Sequence, residues 1–259
     1  MKLKDETRTI SVVSGKGGVG KTTVVINLGS VLAHHYNKNV VIIDANITTS
    51  HIGLYLGMYY CPVTLNQVLK GDAKIENAIY DHFSGVKLIP SSLSIKDLEG
   101  VDIAKLENSI NKLFGKTDII LIDSAPGLGR EAVAAMKASE EVIFVTTPYI
   151  PSVMDVIRCK QVADKLRLKS LGIVLNMVKN ERYELTAREV EQLAELPVLA
   201  SIPMDKNILK SLAARTPVIF YNPKCKASKE FKRLSANLLG EEFTTLSLWK
   251  RFLKFIGLK

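Results

Sequence analysis

Nine residues, Gly15-Lys16-Gly17-Gly18-Val19-Gly20-Lys21-Thr22-Thr23, separate a short apolar run, Ile10-Ser11-Val12-Val13, from an apolar-periodic segment, Val24 to Tyr36. Strand, glycine-rich loop, helix is a narrow specification. Gly15 to Thr22 satisfies G-x-x-x-x-G-K-[ST], the phosphate-binding loop. Glycines let the backbone curl until several N–H groups point inward at phosphate oxygens. The helix that starts near Lys21 adds the positive end of its dipole. Lys21 is then placed for the β- and γ-phosphates of a nucleotide, and the Thr22 hydroxyl for Mg²⁺. A plain turn explains the glycines but not a Lys-Thr pair at this offset.

The rest of the chain supplies the fold such a loop needs. Val40-Val41-Ile42-Ile43-Asp44, Val86 to Pro90, Asp118 to Asp123, Val142 to Thr146, Gly172 to Asn176 and Pro197 to Pro203 read as strands. Asp102 to Phe114, Arg130 to Ala138, Ser152 to Leu166 and Thr186 to Glu195 read as helices between them. Near-continuous Val/Ile/Leu strands alternating with helices predict an α/β fold: a doubly wound, mostly parallel sheet with helices on both faces. The pattern breaks near Gly240. The chain therefore divides into a P-loop domain, 1–240, and a tail, 241–259.

The 259 residues carry 47% apolar and 24% charged side chains, as a globular domain does. Three dispersed cysteines, Cys61, Cys159 and Cys225, argue against a disulfide framework and for a reducing cytoplasm. The opening residues have no apolar core like that of a secretory signal. A net charge of +9 suits an anionic partner, membrane or nucleic acid, without choosing between them.

Ligands of doubly wound sheets bind beyond the carboxyl ends of the strands. Asp44 and Asp123 both end strands, so both belong near the loop. Lys16 is a second lysine that a general P-loop does not require. With it, Lys16 to Thr23 resembles the deviant Walker A of the MinD/ParA ATPases. The resemblance runs from about Thr9 to Leu239 and implies a P-loop ATPase using ATP and Mg²⁺. It implies nucleotide contacts along Gly15 to Thr23, and an ATP-dependent homodimer in which Lys16 reaches the partner's nucleotide. Asp123-Ser124-Ala125-Pro126-Gly127 is similar to the family's Walker B and switch segment. Thr22, Asp44 and Asp123 are then the metal group, and Asp155 pairs with Lys16. Asn176 meets the adenine edge, and Pro203 and Asp205 lie in the loop that closes the base pocket.

Asp44-Ala45-Asn46 departs from the family's D-x-D, whose second Asp orients the attacking water. An amide accepts a hydrogen bond but takes no proton, so Lys16, Lys21, Asp44 and Asn46 make a catalytic set expected to turn over slowly.

In the tail, taken as a helix, Leu248, Trp249, Phe252, Leu253, Phe255 and Ile256 share one face, opposite Lys250, Arg251 and Lys254. That pattern suits a helix lying in a membrane interface and is too short to cross one. MinD-type members end similarly. The resemblance therefore implies reversible binding to the cytoplasmic face of a membrane and recruitment of a protein client, as in placing a division site. A ParA-type ATPase on non-specific DNA is the alternative, as is a weakly hydrolysing interaction module. A metal-cluster carrier of the same superfamily would use paired cysteines, and the sequence has no C-x-x-C or C-x-C. The basic run Lys224 to Arg233 belongs to the last core helix, where a solvated face is the default.

Overall fold

The computed structural model describes residues 7–241. Its strands are β1 (Arg8–Val13), β2 (Val40–Asp44), β3 (Tyr80–Asp81), β4 (Lys87–Ile89), β5 (Ile119–Asp123), β6 (Glu141–Thr146), β7 (Lys169–Val178) and β8 (Val198–Pro203). They form one sheet in the order β3-β4-β2-β5-β1-β6-β7-β8. Every pairing is parallel except the edge pair of β3 with β4. The helices are α1 (Lys21–Tyr36), α2 (Ile52–Tyr55), α3 (Leu65–Lys70), α4 (Leu106–Ile110), α5 (Arg130–Lys137), α6 (Ile150–Lys165), α7 (Ala187–Ala194), α8 (Lys206–Ala213), α9 (Val218–Tyr221) and α10 (Lys226–Leu239).

Strand alternation sorts the side chains into two buried layers. Ile10, Val12, Val40, Ile42, Ile119, Leu121, Ile143 and Val145 meet α1, α9 and α10 through Val24, Leu28, Ile219, Phe231 and Leu234. On the other face Val41, Ile43, Ile120 and Ile122 pack on α3, α4 and α5, and Val142, Phe144, Ile173 and Leu175 on α5, α6 and α7. Both faces are covered, which is why the strands read as unbroken apolar runs. β1 sits mid-sheet with β5 on one side and β6 on the other. The loop leaving its carboxyl end therefore opens at the point where the winding reverses.

The sequence reading differs from the structure at one core helix and at the sheet's edge. Asp102 to Phe114 is not one helix but a 3₁₀ turn (Ile103–Lys105), α4, and a second 3₁₀ turn (Asn111–Leu113). Asp102 accepts from the backbone N–H of Ala104, which starts the segment with tight i→i+3 turns. The two-residue β3 has no sequence signal, and β7 begins at Lys169, three residues before the predicted strand. Helix α10 ends at Gly240, in the left-handed conformation at φ 70°. The tail reading, Leu248 to Ile256 included, lies outside the described residues.

Candidate functional site

The loop after β1 closes on itself with left-handed backbone at Gly18 (φ 80°) and Gly20 (φ 83°). Two elements brace it from behind. A Cβ on Gly15 would stand 2.2 Å from the Cβ of Asp155 on α6, and one on Gly20 would stand 2.2 Å from Nδ2 of Asn176 on β7. Asn176 Nδ2 donates to the carbonyl of Val19 at 2.8 Å, while its Oδ1 is buried without a partner. Gly127 (φ 78°) donates its N–H to the Ser14 carbonyl at 2.8 Å, pinning the segment after β5 beneath the loop.

At the first turn of α1 the two signature side chains turn inward. Lys21 Nζ lies 2.5 Å from Asp123 Oδ1, and both groups are buried. Thr22 Oγ1 donates to Asp123 Oδ2 at 2.7 Å. Lys16, in contrast, is exposed on the rim and has no ion pair among the described residues. One loop thus divides its two lysines between the inside and the outside.

Asp44 stands beside Asp123 in the β2–β5 register. It is fully buried and accepts from the Asn46 N–H at 3.2 Å, the Ser50 hydroxyl at 2.8 Å and the Ile52 N–H at 3.3 Å. Burial first, then the Asp123 charge, push its carboxyl up to about 7, against the opposing pull of the Ser50 and Ile52 bonds. Asn46 is clasped to its own loop: its Nδ2 donates to the Thr49 carbonyl at 2.8 Å, and its Oδ1 accepts from the Thr49 hydroxyl at 3.0 Å.

A cavity of about 400 Å³ opens over the loop, walled by Gly17 to Thr23, Asn46, Thr49, His51, Tyr55, Pro126, Met177 and Leu212. Thr49, His51, Tyr55, Met177 and Leu212 were not anticipated from the sequence. His51 and Tyr55 stack at 6.0 Å between centroids, one helical turn apart, but nothing in their spacing marks them as site residues. Pro203 and Asp205 are not in the wall. Asp205 caps α8, accepting from Asn207 N at 2.8 Å and Nδ2 at 2.7 Å and from Ala227 N at 3.4 Å. Burial raises its carboxyl, yet these bonds hold it below its ordinary value. Asp155 pairs with Arg158 at 3.3 Å rather than with Lys16. Cys159 is core, Cys225 caps α10 and Cys61 lies in the loop after α2, so the cysteines stand apart.

The donors suit a magnesium nucleotide. Thr22 and Asp123 offer the oxygens a hard cation takes, and Lys21 is a compact charge at the bottom of a cradle of backbone N–H groups. The orphaned Asn176 Oδ1 is an acceptor without a donor at the wall behind Gly20. Lys21 and Thr22 both bond to Asp123, and they are the groups a nucleotide would draw away.

A family model described as ParA, NUBPL iron-transfer P-loop NTPase, matches residues 6–239. An uncharacterized ATP-binding protein of Methanocaldococcus jannaschii is 33% identical over 234 residues, 90% of this chain and 88% of the relative. The crystal structure of the cell division ATPase MinD of Pyrococcus furiosus has a TM-score of 0.87 at 36% identity, covering 90% of this chain and 98% of that one. The septum site-determining protein MinD of Pyrococcus horikoshii, solved with Mg-ADP, gives 0.86 at 36% identity over 90% and 96%. With its loop on the middle strand, Lys21 and Thr22 turned onto Asp123, and a match from residue 6 to 239, the chain belongs to the ParA/MinD family of P-loop NTPases.

Proposed function

We propose that this protein is a MinD-like ATPase: a switch that dimerises with ATP and Mg²⁺, attaches to an anionic membrane surface and recruits a protein client. The division of labour between its two lysines carries the reading. Lys21 is buried on Asp123 and serves its own site. Lys16 is exposed on the same loop and has no ion pair among the described residues. A lysine so placed can serve a second copy's nucleotide, as an arginine finger serves charge developing on a transferred phosphoryl group. Division-site placement is the process this reading favours, and the cytoplasmic face of the membrane is its location. No helix among the described residues is long and apolar enough to cross a membrane. The proposal assigns attachment to the tail, whose aromatic and basic faces suit a membrane interface, and includes the domain division at residue 240.

Chemistry at the site is positioning and charge. Lys21 would neutralise phosphate oxygens, Thr22 and Asp123 would hold a magnesium ion that supplies further positive charge there, and Asp44 orders the loop that carries Asn46 and Thr49 into the wall. Turnover is slow in this reading, because Asn46 takes no proton and both of its polar atoms are held by Thr49. The iron transfer in the family model's description gains no support from three separated cysteines. The test is light scattering with ATP and Mg²⁺, reading phosphate release on the same samples. The wild-type chain should dimerise and Lys16→Ala should stay monomeric while still binding nucleotide. A Lys16→Ala dimer of normal stability would refute the role in trans. Release that Asn46→Asp fails to raise would refute the account of slow turnover.

A further inference from the structure

The loop after β2 and the helix after the switch segment are joined by one side-chain bond. Thr48 Oγ1 donates to Glu131 Oε1, across 83 positions of sequence. Thr48 lies between Asn46 and Thr49, both of which wall the nucleotide cavity. Glu131 lies in the first turn of α5, four residues after Gly127, whose N–H is bonded to the start of the phosphate loop. Its other oxygen, Oε2, is buried with no partner among the described residues, so the Thr48 hydroxyl is the only side-chain donor the carboxylate has among them. Thr48 itself is exposed and makes no other side-chain bond among the described residues. Among the described residues it is the one side-chain hydrogen bond that joins the 46–49 loop to α5.

We propose that Glu131 is a positioning residue: through Thr48 it latches the Asn46–Thr49 wall of the cavity to the helix that follows the switch segment. The proposal rests on the ATPase reading above. It assigns the coupling between the two loops to this pair. A change at Gly127 reaches α5 within one helical turn, and Glu131 passes it to the loop holding Asn46. An unpaired half-buried carboxylate is costly, so removing Thr48's hydroxyl disturbs both partners. Asn46 makes its own clasp with Thr49 inside the loop, so the latch sets where the loop sits rather than its internal shape.

The experiment uses the full chain with Thr48→Val, Glu131→Ala, their double variant, and the conservative pair Thr48→Ser and Glu131→Gln. Hydrogen exchange without nucleotide should speed up at least fivefold at residues 46–49 in Thr48→Val and Glu131→Ala, and stay normal in Thr48→Ser and Glu131→Gln. With ATP and Mg²⁺, kcat should fall at least fivefold in the first two, with KM within twofold of wild type. The double variant should be no worse than either single, the mark of one shared interaction. Unchanged exchange at 46–49, or additive losses, would overturn the latch. Loss in Glu131→Gln equal to that in Glu131→Ala would also overturn it, by assigning the effect to the negative charge. A wild-type chain that binds no ATP would instead sink the ATPase reading, while exchange at 46–49 still decides whether the latch exists.

Discussion

At the scale of single residues the two strand-end carboxylates have different partners. Asp123 is compensated by Lys21 and the Thr22 hydroxyl, whereas Asp44 has only neutral donors and a charged neighbour. The sign of the consequence follows from linkage. Folding raises the Asp44 carboxyl from 3.8 to about 7, so the folded chain binds that proton more tightly than the unfolded one. The stability this supplies is fully present below the unfolded value and is lost as pH rises through the folded one. The melting temperature of the nucleotide-free protein should therefore fall between about pH 5 and about pH 8, and fall less steeply in Asp44→Asn. Slopes are the quantity to compare, since the amide also loses an acceptor for Ser50 or Ile52 and shifts the whole curve. Parallel slopes for the two proteins would show that Asp44 is ionised throughout.

At the scale of elements, loop and helix are held by what lies behind them. Gly18 and Gly20 share a left-handed backbone, but a Cβ on Gly18 meets nothing within 4 Å, whereas one on Gly20 meets the Asn176 amide. Gly18→Ala should cost only the left-handed strain, about 1–2 kcal/mol. Gly20→Ala should carry that strain, displace Asn176 and break its bond to Val19, weakening nucleotide binding at least tenfold more than Gly18→Ala. Titration with a fluorescent ATP analogue measures both, and equal losses would show that Asn176 yields freely. The same contrast explains what the sequence made legible. The glycine loop, the Lys-Thr pair and the Asp-ended strands follow local rules of conformation and alternation, and each stands where it was expected. The Asp102–Phe114 helix failed because a side-chain cap and terminal 3₁₀ turns outweighed its apolar spacing. Asp205 was read as a pocket residue, but its immediate task is a local cap, Asp to the N–H two residues on. Thr48–Glu131 is a tertiary juxtaposition that no spacing in the sequence encodes, and His51 and Tyr55 pair locally while the fold sets their place over the phosphate loop.

At the scale of the whole molecule the question is how a nucleotide at one end of the sheet would govern the proposed attachment at the other. The phosphate loop leaves the carboxyl end of β1. Helix α10 finishes at the opposite end, where Nη1 of Arg8, the first residue of β1, donates to the Leu238 carbonyl at 3.1 Å. Of the tail, residues 242–259 lie outside the described residues, but its point of departure is fixed by that bond and by Gly240. Phe231, Leu234 and Leu238 already bury the inner face of α10 on α1 and β8. In the proposed reading the nucleotide acts on the tail through the dimer rather than by direct contact. A single short amphipathic helix binds lipid only marginally. Two tails on one dimer gain a factor of about 10² to 10⁴ without any new contact. Lys250, Arg251 and Lys254 would each add about 1 kcal/mol near an anionic surface. Vesicle binding should then require ATP and acidic lipid, and weaken as salt shortens the screening length. Deleting residues 242–259 should abolish sedimentation with vesicles while leaving ATP affinity and the melting temperature unchanged. Trp249→Glu should do nearly the same, by placing a charge in the inserted face. A truncated chain that melts well below the full one would mean that the tail packs on its own domain. Sedimentation of the full chain with ATP that is equal on neutral and acidic vesicles would remove the basic strip from the account.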